Sequence, residues 1–211
     1  LYHPNGITTE GFSPKMETPI NPRLGFLARL CPLKGLDILV DAFIILKNSG
    51  EHSELCLEIA GGMTDEDEPF VKEQKSKLAD AGYSNCSTFH PNIKREEKLT
   101  FLRDLSVFSV PSRYAEAFGL YVVEALAAGT PVVLPKSGAF PEIVENTNGG
   151  IIYEDNTSAA LAQSLGELLQ DIDSLNEMGR VGREAVLHKY SNEHLAHSLI
   201  DNILAPALAN F

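Results

Sequence analysis

The chain has 211 residues, 44% of them apolar and 22% charged, enough for one full hydrophobic core and incompatible with wholesale disorder. Its formal net charge of −12 repels nucleic acid and anionic lipid alike, so any phosphate must be captured by a few local cations. No apolar run approaches the roughly 20 residues that cross a bilayer, and no charged stretch followed by an apolar one opens the chain as in a secretory signal.

Residues 1–21 are turn-rich, with Pro4-Asn5-Gly6, Ser13-Pro14 and Pro19, and read as an approach segment. From there short apolar runs alternate with helical patterns. Strands are expected at 24–28, 55–60, 87–89, 106–110, 132–134 and 151–153. Helices are expected between them at 35–47, 69–81, 95–105, 119–128 and 140–145, followed by a helical tail from 158 to about 204. Strands separated by helical crossovers predict an α/β domain over 22–211. It would be a doubly wound, Rossmann-like parallel sheet of about six strands with helices on both faces. Ligands of such sheets bind beyond the carboxyl ends of the strands, where the strand order reverses.

The loops at those ends carry the chemistry. In Gly25-Phe-Leu-Ala-Arg-Leu-Cys-Pro-Leu-Lys-Gly35, Arg29 and Lys34 flank a proline-containing turn. A guanidinium fork with a flexible ammonium can neutralise a diphosphate, although a solvated loop would carry the same residues. After the second strand, Asp65, Glu66, Asp67 and Glu68 read as a solvated helix entry, favoured by the positive end of the helix they begin. After the fourth strand comes EAFGLYVVE, which puts Glu116 in a loop and Glu124 more than a turn inside a helix that opens near Gly119. Free N–H groups at a helix start favour phosphate, and carboxylates accept hydrogen bonds from hydroxyls. The stretch therefore suits an anionic ligand bearing hydroxyl groups. Two solvated glutamates are the alternative.

Two further groups carry less. His194 and His197 share a helix face, but nothing nearby supplies the remaining ligands of a metal site. Cys31, Cys56 and Cys86 are an odd number without Cys-x-x-Cys spacing, which predicts reduced thiols and a cytoplasmic setting.

The run EAFGLYVVEALAAGTPVV, together with Arg29 and Lys34, resembles the C-terminal domain of glycosyltransferase family 4, the retaining group 1 transferases of GT-B fold; the resemblance spans 22–190. It implies a nucleoside diphosphate sugar as donor substrate, with no cofactor and no metal. It puts Arg29 and Lys34 on the diphosphate, Glu116 on the hydroxyls of the transferred sugar and Glu124 on the nucleotide ribose. Backbone N–H groups of Ala117, Phe118, Gly119 and Leu120 would reach the sugar and diphosphate, with Phe118 mainly a packing anchor, and the base would lie near Asn92 and Ile93.

The resemblance further implies that 1–21 continues from a missing N-terminal domain, which would choose the acceptor. This half alone would then bind donor weakly and transfer nothing. Three departures are visible: Gly61-Gly62-Met63 in place of Gly-Asp-Gly, Phe89-His90-Pro91 in place of Phe-x-Gly, and Ala139 in place of the second of two glycines before Pro141-Glu142. A sugar-nucleotide epimerase and a noncatalytic nucleotide-sugar or partner-binding module remain as alternatives. A nicotinamide oxidoreductase is disfavoured because the first strand leads into Arg29-Leu30-Cys31-Pro32 without Gly-x-Gly-x-x-Gly.

Overall fold

The computed structural model describes residues 5–14 and 21–200. Strands β1 (Arg23–Leu27), β2 (Cys56–Gly61), β3 (Ser87–Pro91), β4 (Val107–Phe108), β5 (Val132–Pro135) and β6 (Gly150–Tyr153) form one sheet in the order β3-β2-β1-β4-β5-β6. All pairings are parallel. Helices α1 (Leu36–Asn48) and α2 (Glu68–Asp80) link β1 to β2 to β3, and α3 (Arg95–Asp104) carries the chain back to β4. Helices α4 (Leu120–Ala127) and α5 (Phe140–Thr147) then step outward to β6. Right-handed crossovers running in opposite directions put α1 and α2 on one face and α4 and α5 on the other, with the reversal between β1 and β4.

The central strands are buried on both faces, as their unbroken apolar runs require: Leu24, Phe26, Leu57, Ile59, Phe108, Val132 and Val133 have no exposed surface. The edge strand β3, with the polar sequence Ser-Thr-Phe-His-Pro, is only half-buried. Strand β4 keeps two of the five expected residues, although Ser106 and Ser109 still donate backbone hydrogen bonds to Arg23 and Gly25 of β1.

The expected helical tail comprises three helices among the described residues. Helix α6 (Ser158–Gln170) returns to pack on α1, α7 (Ile172–Lys189) lies over α4 and α5, and α8 (Asn192–Leu199) follows it. The breaks fall where Asp171 accepts from the Ser174 N–H and Ser191 from the His194 N–H, each starting a new helix with its own cap. Residues 201–204 of the expected tail lie outside the described residues, as do Pro4 and Pro19. The described part of the approach segment is docked. Ile7 and Phe12 are buried, the Ile7 N–H donates to the Tyr190 carbonyl at 2.8 Å, and Arg183 donates to the Phe12 carbonyl at 3.0 Å.

Candidate functional site

The loops after β1 and β4 leave the sheet on either side of the reversal, and Arg113 clamps them together. Its guanidinium donates both Nη groups to the Asp37 carboxylate, at 2.7 and 2.6 Å, and one also to the Pro32 carbonyl, while its N–H donates to the Leu33 carbonyl at 2.9 Å. Asn156 holds the second loop from below by donating to the carbonyls of Pro111 and Ser112.

This clamp brings Lys34 and Glu116, 82 residues apart in sequence, into contact: the Lys34 Nζ donates to Glu116 Oε1 and to the Tyr114 hydroxyl. Tyr121, on the first turn of α4, donates its hydroxyl to the same Oε1 at 2.7 Å. The ammonium also lies 4.6 Å from the Tyr114 ring centroid and 5.2 Å from that of Tyr121, within cation–π range. Both charged side chains are largely buried.

Burial opposes charge on both groups, but the hydrogen bonds outweigh it. Those from Lys34 and Tyr121 hold the Glu116 carboxyl below its ordinary 4.5, and those to Glu116 and Tyr114 raise Lys34 above 10.5. Burial first, then the Glu116 acceptor, push the Tyr121 phenol far up, so it stays a donor. The pair's contribution to stability is therefore full between pH 4.5 and 10.5. It is lost as pH falls through the depressed Glu116 value or rises through the raised Lys34 value. Glu116→Gln should flatten the fall in Tm below pH 4.5, measured by calorimetry from pH 3 to 7. An acid limb identical to the parent's would mean that the ion pair contributes nothing net.

Gly119 precedes α4 in the left-handed region at φ 71°, and a Cβ there would come within 3.0 Å of the Phe140 ring. Ala117 and Leu120 are exposed beside it, and Phe118 packs against Tyr190 with ring centroids 6.3 Å apart. The next loop supports Glu116 from behind. The Ala139 N–H donates to the Glu116 carbonyl at 2.9 Å, a backbone contact that does not depend on the side chain at 139.

The remaining expected residues sit on separate partners. Arg29 donates its Nε to Asp67 Oδ2 at 3.2 Å. Asp67 also accepts from the Thr64 N–H and hydroxyl, and the Thr64 N–H, working against burial and joined by Arg29, holds its carboxyl below the usual range. This corrects the expected solvated acidic run at one position: Asp65, Glu66 and Glu68 are exposed, but Asp67 is 5% exposed, because it faces the arginine and Thr64 rather than solvent.

Glu124 accepts from Lys98 of α3 at 2.5 Å. Asn92, at φ 57°, turns its amide inward to pair with both the N–H and the carbonyl of Met63, and its own N–H donates to the Gly61 carbonyl. Ile93 packs against the core beside it. Tyr121, Tyr114, Lys98, Asp67 and Arg113 were not legible as site residues. The one available signal was Tyr121 itself, which lies within the Glu116–Glu124 run at a helical position close to Glu116. Among the described residues no group of three or more His, Cys, Asp or Glu side chains could hold a metal ion, and no helix is long and apolar enough to cross a membrane.

A doubly wound parallel sheet with cations and carboxylates gathered at its switch-point loops puts these side chains where α/β sheets of this topology bind their ligands. The chain belongs to the family of group 1 glycosyl transferases, whose family model matches residues 15–185.

It is 30% identical, over 95% of its length, to the GDP-mannose-dependent alpha-(1-6)-phosphatidylinositol monomannoside mannosyltransferase of Mycobacterium tuberculosis, covering 54% of that protein. It is 32% identical, over 89% of its length, to the D-inositol 3-phosphate glycosyltransferase of Nocardia farcinica, covering 41%. The chain thus spans about half the length of these relatives. Among solved structures it superposes on sucrose-phosphate synthase from Thermosynechococcus elongatus with a TM-score of 0.83 at 24% identity, over 99% of this chain and 52% of that one. It also superposes on the C-terminal domain of a group 1 glycosyl transferase from Francisella tularensis, with a TM-score of 0.79 at 26% identity, over 89% of this chain and all of that one. An Anabaena protein solved with UDP and glucose gives 0.81 at 20% identity, over 99% of this chain and 56% of that one. The fold is that of the GT-B glycosyltransferases.

Proposed function

We propose that this domain binds a nucleoside diphosphate sugar in the crevice between the β1 and β4 loops and is the donor half of a retaining glycosyltransferase whose other half supplies the acceptor. The observation that carries the reading is the contact of Lys34 with Glu116 at the reversal of strand order. It sets a cation for the diphosphate beside a carboxylate for sugar hydroxyls. Arg29, whose Nε is taken by Asp67, offers its two Nη groups as the second cation. Departure of the nucleoside diphosphate builds charge on the leaving phosphate. Lys34, Arg29 and the N–H groups of 117–120 at the start of α4 stabilise that charge, while Glu116 orients the sugar. Glu124 takes the ribose, and the loop at Asn92 and Ile93 borders the base. Asn92 contributes through the backbone it braces, since its amide is engaged with Met63. The names of relatives support this reading: one is GDP-mannose-dependent, and a structural neighbour was solved with UDP and glucose. Residues 1–21 serve as the connection to the acceptor-binding half.

Calorimetric or thermal-shift titration with UDP, GDP and ADP tests the proposal. A nucleotide at ten times its Kd stabilises the domain by about 1.4 kcal/mol, or roughly 3–6 °C in Tm. One nucleotide is expected to produce this shift at millimolar concentration, with no sugar transfer by the chain alone. No shift with any of the three at 10 mM (an order-of-magnitude ceiling for useful binding) would overturn the proposal in favour of a noncatalytic module.

A further inference from the structure

Glu124 reaches its site already paired, and the partner comes from the helix that starts at the base loop. Lys98 is the fourth residue of α3, and its ammonium crosses to α4 to donate to Glu124 Oε1, with both side chains mostly buried. The start of α3 is itself fixed, because Glu97 accepts from the Lys94 N–H at 2.8 Å. We infer that Lys98 is a positioning residue that orients the Glu124 carboxylate toward a vicinal diol and thereby sets the preference for ribonucleotides over deoxyribonucleotides. The inference rests on the assignment of Glu124 to the ribose made above.

A carboxylate torsion is broad and roughly two-fold, so an unpaired Glu124 would sample many orientations. It would also stand as an uncompensated, mostly buried negative charge at the position proposed for the ribose. An ammonium on Oε1 removes both problems. It sets the plane of the carboxylate, offsets its charge, and leaves Oε2 and the second lone pair of Oε1 to accept from two neighbouring hydroxyls. A ribose offers two such donors and a 2′-deoxyribose one. The same bond ties the base-loop helix to the ribose helix, so that base and sugar contacts share one geometry.

The test measures Kd for UDP, GDP and ADP, for their 2′-deoxy counterparts and for inorganic pyrophosphate, on the parent chain, Lys98→Met and Lys98→Arg. The parent should prefer the ribose form of its nucleotide by about tenfold, the worth of one charge-assisted hydrogen bond. In Lys98→Met that preference should shrink to about threefold or less while pyrophosphate binding stays within about threefold of the parent's; Lys98→Arg should keep the preference. A preference that survives in Lys98→Met overturns the inference, as does an equal loss for all ligands, which marks a purely structural tie. A parent that binds a nucleotide without preferring ribose also overturns it and leaves the donor site standing. A parent that binds no nucleotide removes the donor site first and the inference with it.

Discussion

Replacing Lys34 with methionine should weaken nucleoside diphosphate binding by about 100-fold or more, while binding of the nucleoside without phosphates stays within about threefold. Two losses combine. The ammonium is one of two cations at the proposed diphosphate subsite, and a charge-assisted hydrogen bond to phosphate is worth about 1.5–3 kcal/mol. The substitution also strips Glu116 of its cation, leaving a largely buried carboxylate held by the Tyr121 and Tyr114 hydroxyls alone and facing an incoming anion of the same sign. Titration of the parent and Lys34→Met with the diphosphate that binds, and with its nucleoside, separates these effects from unfolding. Equal losses for both ligands would mean that Lys34 shapes the loop rather than meeting the diphosphate, and no loss for either would remove it from the site.

Gly138→Ala should lower stability by roughly 2–5 kcal/mol, a fall in Tm of about 5–20 °C, and weaken nucleotide binding as well. Gly138 sits at φ 55°, where a Cβ costs about 1–2 kcal/mol. The position is also closed from in front: a Cβ would lie 2.3 Å from the Glu116 carbonyl oxygen and 2.5 Å from its nitrogen. These are backbone atoms of the loop that carries the carboxylate, so no side-chain rotation can relieve the contact, and Glu116 must move away from Lys34 and Tyr121. Thermal unfolding and nucleotide titration of the variant check both consequences. An unchanged Tm with unchanged affinity would show that the β4 loop adapts and is not held by its neighbour.

Much of this molecule was legible along the chain. Alternating apolar runs and helical patterns marked all six strands and the helices between them, because burial on a sheet and burial on one helix face impose different short-range periods. The caps Asp171 and Ser191, which divide the tail, are N-cap residue types in plain view, and the long apolar pattern masked them. Arg29, Lys34 and Glu116 were legible as candidates because strand–helix alternation alone assigns them to loops at the carboxyl edge of the sheet.

Which groups those side chains meet was not legible. Lys34 finds Glu116 across 82 residues, Arg29 finds Asp67 across 38, and Lys98 finds Glu124 across 26. A solvated acidic run and a run with one carboxylate buried against arginine read identically until the sheet brings β1 and β2 together. By itself, then, the sequence determined the α/β class, the position of the loops and the family signature. The tertiary structure alone decided the partners of each charge, because ion pairs and buried hydrogen bonds form across distances in space that the local period of a chain does not encode.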